Sequence, residues 1–504
     1  MNQTPETLGA VDLGSNSFHL VIARTVRGEV RVVDRLRESV RLAAGLGADG
    51  KISDDVMARG LQALELFGQR LRDMPPGTVR AVGTSTLRKA KNAGEFLERA
   101  RQRLGHPIEV VSGREEARLI YLGVAHNVAD DPGRRLVVDI GGGSTECIVG
   151  ERFEPLLTDS LDMGCVAYTM KFFPDGEIRR ENLRAAKTAA LLELQPMQRR
   201  YRTIGWDTAI GASGTVESVA GIARENGWNR RLITPPVLDK LEKALLQAGK
   251  VAKFQLAGVR PDRAAVLPAG LAILAAVFEA LEVKSMAPSP GAMREGVLYD
   301  LLGRIRHEDM RDRTIAAMAD RWHVDVEQAA RVERTALALW KQAQKLWQLG
   351  DEAHRQLLAW AARLHEVGLA VAYSGHHKHG AYLVQNSDMP GFSRDEQAAI
   401  AELIRTHRRK LAALAGPTSV RESLPVRSEP ALRLALLLRL AVLLNRSRST
   451  RPLPPLVLEI DKQMLCLRLP QRWLDEHPLT SADLDRERDE LADLGLALVV
   501  VGGK

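Results

Sequence analysis

The segment "LVVDIGGGSTECIVG", residues Leu136–Gly150, decides the fold. An apolar run ends at Asp139, three glycines and Ser144 follow, and a second apolar run begins. Because glycine allows a tight turn, the segment predicts two strands joined as a β-hairpin. The successive backbone N–H groups of such a turn form a concavity that binds phosphate oxygens, and hydroxyl groups add further donors.

The same pattern occurs once before. The segment "AVDLGSNSFHLVIA", Ala10–Ala23, aligns with Val137–Gly150 at a constant offset of 127 residues, and Asp12 matches Asp139. A repeat of this length is too long for a solenoid and predicts a duplicated domain. The two turns supply the predicted phosphate contacts Gly14, Ser15, Asn16 and Ser17 and, in the second copy, Gly141, Gly142, Gly143 and Ser144.

A third glycine-rich loop, "TAIGASGTVES", occupies Thr208–Ser218 and predicts a strand, a turn and a helix. Its predicted phosphate contacts are Gly211, Ser213, Gly214 and Thr215. An aspartate beside a phosphate repels it unless a cation intervenes, so Asp12 and Asp139 predict Mg²⁺ held by carboxylate and phosphate oxygens. The loops are neither a Walker loop nor a Rossmann fingerprint, because GxxxxGK[ST] is absent and Gly141 leads into a strand.

The segment "VVSGREEARLIYLGVAH", Val110–His126, predicts a helix that begins with a capping box of Ser112 and Glu115. Ile120 lies one helical turn after Glu116, and Gly123 lies two turns after it. Glu116 therefore lies on the apolar, inward face of the predicted helix. An inward carboxylate is costly unless it is used or paired, so we predict that Glu116 is a general base.

A further anion site is predicted at "VGTSTLRKAKN", Val82–Asn92, where a strand leads through hydroxyl residues into a helix. Hydroxyls and a helix N-terminus suit phosphate, and an arginine binds it bidentately. Thr86 and Arg88 are the predicted contacts.

Together, "DLGSNSFHL", "DIGGGSTE" and "GASGT" resemble the exopolyphosphatase / pppGpp phosphatase family of the actin, hexokinase and chaperone ATPase superfamily. The segments "MGCVAYTMKFFPDG" (163–176), "GAMREGVLYD" (291–300), "LHEVGL" (364–369) and "NSDMPGF" (386–392) extend the resemblance along essentially the whole chain. The resemblance implies that Glu116 activates water, that Glu146 holds metal or water, and that Arg294 faces phosphate. It also implies Mg²⁺, stimulation by K⁺, a homodimer and peripheral contact with the inner membrane.

Histidines concentrate in "LHEVGLAVAYSGHHKHGAYLV", which holds His365, His376, His377 and His379. Their spacing resembles an HD-type metal phosphohydrolase domain. That domain needs a His-Asp pair, whereas the chain has Glu366 after His365. The sequence therefore predicts a degenerate HD-like helical domain without a working metal centre.

The chain has a net charge of +8, and its basic residues concentrate between Arg405 and Arg451. That stretch contains eleven Lys and Arg residues and two acidic residues. Such a field attracts polyanions, although a solvated basic face is the simpler alternative. Charge alone leaves nucleic acid, a membrane surface and phosphorylated substrates open, and the resemblance favours the last, with no nucleic acid partner. The predicted polyanion track is His377, Lys378, His379, Arg405, Arg408 and Arg409, next to Lys410.

The predicted fold class is α/β. Residues 1–125 and 126–304 form duplicated actin-like (ribonuclease H-like) domains, 305–451 a helical HD-like domain, and 452–504 a small α+β domain. No secretion signal opens the chain, and its three cysteines lack CxxC spacing, so we expect a reducing cytoplasm. The uncharged run Ala264–Phe278 is shorter than the roughly 20 residues of a membrane helix and predicts a buried one.

These features predict an exopolyphosphatase that removes terminal phosphates processively from inorganic polyphosphate. Residues 151–168 and 374–392 favour that substrate over the nearest alternative, 5′-phosphohydrolysis of pppGpp at the same site. An alternative of another class is a non-catalytic regulator that binds nucleotides or polyanions. The expected partners are inorganic polyphosphate and, as a second possibility, pppGpp or ppGpp.

Overall fold

The computed structural model of the chain describes residues 7–26, 29–128, 133–289, 291–305, 310–409, 429–461, 464–493 and 495–503. The chain divides into two compact units, residues 1–309 and 310–504. Each buried apolar cluster among the described residues draws its members from one unit alone. The finer division of the sequence into four domains stays a prediction.

The first half of the first unit contains five strands and four helices. They are β1 (Thr7–Leu13), β2 (Phe18–Val26), β3 (Glu29–Glu38), α1 (Asp54–Leu71), β4 (Val79–Gly83), α2 (Ser85–Lys89), α3 (Ala93–Leu104), β5 (Ile108–Val110) and α4 (Gly113–Ala125). The strands form one sheet in the order β3-β2-β1-β4-β5. β1 and β2 are antiparallel, and Asp12 lies opposite His19. The predicted hairpin around Gly14 is therefore confirmed.

The second half repeats this plan. Its elements are β6 (Arg134–Ile140), β7 (Thr145–Glu151), β8 (Glu154–Leu161), α5 (Cys165–Phe172), α6 (Arg180–Ile204), β9 (Thr208–Ala212), α7 (Ser213–Glu225), α8 (Pro235–Ala248), α9 (Pro261–Ala264), α10 (Leu267–Leu281), β10 (Ala287–Pro288) and α11 (Met293–Ile305). The sheet order β8-β7-β6-β9-β10 matches that of the first sheet strand for strand. Asp139 lies opposite Glu146, the register of Asp12 and His19. The predicted duplication is confirmed.

Two helices, α4 and α11, join the halves and pack against each other in an apolar cluster that includes strands of both sheets. They approach closely at two glycines. A Cβ atom at Gly123 would collide with the carbonyl oxygen of Ala292, and one at Gly296 with that of Leu119. Only residues without a side chain allow the helix backbones to come this close.

A buried ionic network also fastens α4 and α11 to β4 and β5. Its members are Arg80, Glu109, Glu115, Arg118, Asp300 and Arg304. Ser112 caps α4 by accepting a hydrogen bond from the Glu115 N–H, 3.2 Å away. The Glu115 carboxylate accepts two 2.8 Å hydrogen bonds from Arg118. The carboxylate predicted for the capping box thus serves this network, since a buried arginine needs a counter-charge.

The long apolar run of the second half lies in α10, which is buried over nearly its whole length. Among the described residues, none of the helices combines the length and apolar character needed to span a bilayer.

The second unit is mainly helical. Its elements are α12 (Met310–Arg321), α13 (Val326–Ala343), α14 (Glu352–Leu364), α15 (His376–Asn386), α16 (Arg394–Thr406), α17 (Glu429–Leu444), β11 (Val457–Asp461), β12 (Met464–Pro470), α18 (Gln471–Glu476), α19 (Pro478–Ala492) and β13 (Ala497–Gly503). The three strands form a sheet in the order β11-β12-β13, with β12 and β13 parallel. The elements from β11 to β13 agree with the α+β character predicted for residues 452–504.

Three of the four histidines grouped in the sequence lie near a fourth imidazole that the sequence analysis did not join to them. The ring of His407 lies 5.5 Å from the rings of His365 and His376 and 6.4 Å from that of His377, between centroids. Across the described parts of both units, no group of three or more His, Cys, Asp or Glu side chains could hold a metal ion. The HD-like assignment of this helical unit stays a prediction.

Candidate active site

A cavity of about 340 Å³ opens between the two sheets of the first unit. It lies at the turns of both duplicated hairpins, where β1 and β6 end. Fifteen of the predicted site residues line it: Asp12, Gly14, Ser15, Asn16, Ser17, Glu116, Asp139, Gly141, Gly142, Gly143, Ser144, Glu146, Ser213, Gly214 and Arg294. Residues separated by up to 282 positions in the sequence therefore share one cavity.

The two hairpin turns meet at this cavity. A Cβ atom added at Gly142 would lie 3.1 Å from the Cβ of Ser15 and 3.2 Å from the backbone nitrogen of Asn16. Within the second turn, the Gly141 N–H donates to the carbonyl oxygen of Ser144 over 2.9 Å. The tips of the two turns therefore lie side by side at the cavity, and the Gly141 N–H is used within its own turn.

Five carboxylates line the cavity, those of Asp12, Glu116, Asp139, Glu146 and Glu217, and the pKa values of three of them are raised. Burial, reinforced by the charge of Glu116, raises the pKa of both Asp12 and Asp139 to about 7. Burial likewise raises the pKa of Glu146 well above its ordinary value. The buried Oδ1 atom of Asp12 has no hydrogen-bond partner among the described residues. Such a set is electrostatically incomplete without a cation.

Glu116 and Glu146 are both held in place by neighbours. The Glu116 Oε2 atom accepts a 2.6 Å hydrogen bond from Arg88 Nη1, and the same nitrogen donates to the carbonyl oxygen of Val111 over 3.1 Å. Ser160, opposite Glu146 on β8, donates to Glu146 Oε1 over 2.8 Å. Glu116 is only 7% exposed, which agrees with the predicted inward face of α4.

Four predicted phosphate contacts do not line the cavity. Arg88 reaches Glu116 instead, and the Thr86 hydroxyl donates to the Ser15 hydroxyl over 2.8 Å. Thr215 donates to the carbonyl oxygen of Ile140, and Gly211 lies within β9 against Val216 and Met286. Each supports a residue or strand behind the cavity, so their predicted contact with phosphate stays untested.

The sequence analysis missed an arginine group that lines the same cavity, formed by Arg35, Arg37, Arg260 and Arg263. The buried Nε atoms of Arg37 and Arg263 have no hydrogen-bond partner among the described residues. The Arg263 guanidinium lies beside Gly214, where a Cβ atom would displace it. A signal did exist, because Arg35 and Arg37 alternate along β3 and so share one face of the sheet.

His19 occupies in the first hairpin the position that Glu146 holds in the second. Burial and the charges of Arg294, Arg37 and Arg263 hold the pKa of His19 far below its ordinary value of 6.5. The imidazole is therefore neutral, and its Nδ1 atom accepts a 3.1 Å hydrogen bond from Arg294 Nη1. His19 thereby orients the guanidinium that the resemblance assigned to phosphate.

Similarity to known proteins agrees with this geometry. Residues 21–305 match the model of the Ppx/GppA phosphatase family, and residues 310–488 match that of Ppx/GppA phosphatase, domain III. The chain belongs to the Ppx/GppA phosphatase family. A guanosine-5′-triphosphate,3′-diphosphate pyrophosphatase of Vibrio vulnificus is 40% identical over 491 residues, 97% of each chain. One of Aeromonas hydrophila is 41% identical over 486 residues, 96% of this chain and 97% of its own length.

A solved Ppx/GppA-type structure supports the same fold. The crystal structure of an exopolyphosphatase from Cytophaga hutchinsonii is 26% identical, with a TM-score of 0.54, and covers 59% of this chain and 97% of its own. The fold is accordingly a mixed α/β actin-like Ppx/GppA fold, followed by a helical portion and a C-terminal sheet.

The predicted polyanion track of this family member lies in its second unit, and its residues are not equivalent there. Arg408 and Arg409 line a cavity. The Arg405 guanidinium is paired with the Glu402 carboxylate over 2.5 Å. Lys378 is exposed, whereas His377 is buried. His379 is partly exposed and Lys410 lies outside the described residues.

Proposed function

We propose that the protein hydrolyses the 5′-terminal phosphoanhydride of pppGpp and releases orthophosphate. The observation that carries the proposal is the pair of glycine-rich hairpin turns that meet at one cavity, which the inward carboxylate of Glu116 also lines. Backbone donors of such turns suit a phosphoryl group, and an adjacent carboxylate suits activation of water.

The choice of substrate rests on the relatives and on the arginine group. Both curated relatives described above are named for guanosine 5′-triphosphate,3′-diphosphate, and each matches nearly the whole chain. Their names favour pppGpp over inorganic polyphosphate, the substrate that residues 151–168 and 374–392 had favoured. pppGpp carries phosphates at two ends of one ribose, and Arg37, Arg260 and Arg263 offer cations for phosphates beyond the scissile one.

The reaction is an in-line displacement by water. Glu116 accepts a proton from the attacking water while the oxygen of that water forms a bond to the terminal phosphorus. The bond between that phosphorus and the bridging oxygen breaks. The bridging oxygen stays on the departing nucleotide, where it becomes part of the new terminal phosphate. Backbone N–H groups of the two turns hold the phosphoryl oxygens, and Arg294, oriented by His19, balances developing charge. Positioning and electrostatics of this kind supply most of the acceleration in phosphoryl transfer.

Mg²⁺ is the cation we propose for the site, and one or two of the carboxylates of Asp12, Asp139 and Glu146 would hold it. The unpartnered Asp12 Oδ1 atom and the raised pKa values of the buried acids fit a divalent cation. Mg²⁺ takes one or two protein carboxylates and completes its shell with substrate oxygens and water, so a three-ligand protein cluster is unnecessary. When bound, it would neutralise charge on the phosphate chain.

Exopolyphosphatase activity at the same cavity is the second candidate. It is favoured by the similarity to the Cytophaga hutchinsonii exopolyphosphatase and needs no different catalytic group. The degenerate HD-like character of the second unit, K⁺ stimulation, a homodimer and a cytoplasmic location with peripheral membrane contact stay predictions of the resemblance.

The deciding experiment measures orthophosphate release by the purified chain with Mg²⁺, from pppGpp and from long-chain polyphosphate at matched terminal concentrations. We expect a larger kcat/KM for pppGpp. A larger value for polyphosphate would move the substrate to the second candidate. Release from neither substrate would reduce the cavity to a binding site and return the function to a non-catalytic regulator.

A further inference from the structure

The second unit contains a cavity of about 460 Å³ that the phosphatase reaction does not use. Its volume lies within the range of about 300–1,000 Å³ that small-molecule sites occupy. Three imidazoles contribute to its wall, from the end of α14 (His365), the start of α15 (His376) and the residue after α16 (His407). Separate elements thus build the cavity around one group of side chains.

The charges around the cavity are unbalanced. Six arginines and four carboxylates line it. Three of those carboxylates are already paired within the wall: Glu366 with Arg448, Glu487 with Arg439, and Asp483 with Arg446. The remaining carboxylate is Glu490, and the remaining arginines are Arg408, Arg409 and Arg486, of which Arg486 lies 3.9 Å from Asp483, the carboxylate already paired with Arg446. The surplus of guanidinium groups suits the phosphates of an anionic ligand.

The backbone holds Arg409 in an uncommon conformation. Its φ angle of 68° lies in the left-handed region, which costs energy for a residue other than glycine. Arg439, fixed by the Glu487 carboxylate, donates to the Arg409 carbonyl oxygen over 2.8 Å. This contact maintains the turn after α16, and with it the place of Arg408 and Arg409 at the cavity.

The imidazoles add a requirement that phosphate alone does not meet. The Nδ1 atoms of His365 and His407 lie 2.8 and 2.6 Å from backbone carbonyl oxygens, which only accept hydrogen bonds. Each Nδ1 atom therefore carries the proton, and Nε2 is left as an acceptor. Burial lowers the pKa of both rings, which keeps them neutral. A ligand that satisfies them has N–H or O–H donors as well as phosphates.

An aromatic ring completes the site. Tyr373 lines the cavity, is 73% exposed, and lies with its ring centroid 5.9 Å from the guanidinium carbon of Arg408. An exposed ring beside a guanidinium is a platform on which a nucleobase stacks.

We propose that this cavity binds a phosphorylated nucleoside at a second site, separate from the phosphatase cavity. Arg408, Arg409 and Arg486 hold its phosphates, Tyr373 stacks on its base, and His365 and His407 accept hydrogen bonds from its donor groups. The inference stands independently of the proposed hydrolysis, because every residue it uses belongs to the second unit.

The test uses a local fluorescent reporter, Tyr373→Trp, in the full chain, titrated with GDP. Wild type, with its seven native tryptophans, is titrated in parallel and subtracted. Tripolyphosphate serves as the probe that offers phosphates without base or donors. We expect saturable quenching by GDP and at least tenfold weaker binding of tripolyphosphate. In the reporter background, Arg408→Gln with Arg409→Gln weakens GDP binding on the order of tenfold or more.

Two control variants make the result specific. Arg405→Gln removes a cation at the end of α16, three residues before Arg408, that is paired with Glu402 and does not line the cavity, and it leaves GDP binding unchanged. Arg408→Lys keeps the charge but loses the planar fork, and gives intermediate binding. A thermal unfolding transition like that of wild type shows that each variant folds. An absence of GDP quenching, equal binding of tripolyphosphate, or a loss on Arg405→Gln as large as on the double substitution overturns the proposal.

Discussion

The Nη1 atom of Arg88 lies 2.6 Å from the Oε2 atom of Glu116, and both side chains are 10% exposed. The pair unites two residues that the sequence assigned to separate tasks, phosphate binding and general base. A buried ion pair of this geometry fixes the carboxylate, and loss of one partner leaves the other charge uncompensated. The pair therefore links the position of the base to an arginine that does not line the cavity.

Glu116→Gln is expected to lower kcat for pppGpp by about 100-fold or more, because a general base contributes factors of that size. Binding of pppGpp in a non-hydrolytic titration should remain within a few-fold of wild type. Glu98→Gln, which replaces an exposed glutamate of α3, is the matched control and should retain full activity. Activity of Glu116→Gln close to that of wild type would remove this residue from the mechanism.

Arg88→Gln is expected to lower kcat, with little change in KM, because Arg88 acts through Glu116 rather than through the substrate. In the Glu116→Gln background the same substitution should add little further loss, as residues acting as a unit are non-additive. A raised KM in both backgrounds would instead indicate that Arg88 binds phosphate directly. Steady-state kinetics of the four proteins separate these outcomes.

Arg263→Gln is expected to raise KM for pppGpp on the order of tenfold, because a charge-assisted hydrogen bond to phosphate is lost. The effect on kcat should be smaller, since the guanidinium stabilises bound substrate throughout. Arg99→Gln removes an exposed arginine of α3 and provides the control. An unchanged KM would place Arg263 outside the substrate contacts.

Gly123→Ala is expected to lower the free energy of unfolding of the first unit by about 2 kcal/mol or more, as overpacking does. The added Cβ atom would collide with the Ala292 carbonyl oxygen at the crossing of α4 and α11. Gly94→Ala, in α3, meets nothing within 4 Å and should stabilise by about 0.5 kcal/mol. Chemical denaturation compares both with wild type, and equal midpoints for the two variants would contradict this account of the crossing.

The buried histidines predict a pH dependence of stability in the second unit. His407 has an ordinary pKa of 6.5, and burial among His365, His376 and His377 lowers it well below that value in the folded state. As the pH falls below 6.5, the unfolded chain therefore takes up a proton that the folded chain does not, and stability falls. Thermal unfolding at pH 7 and pH 5 should show this loss, and His407→Asn should reduce it. A pH-independent midpoint in wild type would contradict the prediction.

The hairpin repeat could be predicted because its information is local. Apolar runs around Asp12 and Asp139 specify strands, and the intervening glycines specify turns. The third loop shows the limit of such motifs. Gly211 was assigned to the turn, yet β9 continues through Ala212 and the glycine is used for packing against Val216. A glycine in a motif does not reveal whether its missing side chain makes room for a ligand or for a neighbour.

Residues brought together by tertiary structure were less predictable. Arg263 reaches the cavity from α9, and Arg37 reaches it from β3, 226 residues earlier. His407 joins the other imidazoles through the packing of α15 against α16. Neither arrangement carries a short motif, because the geometry depends on how whole elements pack.

The identical register of the two hairpins describes a fused pair of once-equivalent halves, and one of their chemical differences lies opposite the aspartate, at His19 and Glu146. A symmetrical ancestor would have treated both ends of a bound phosphate chain alike. With His19 on one side and Glu146 on the other, one half presents a neutral ring that orients an arginine, and the other an acid. Divergence at that position makes the two sides of the cleft chemically unlike.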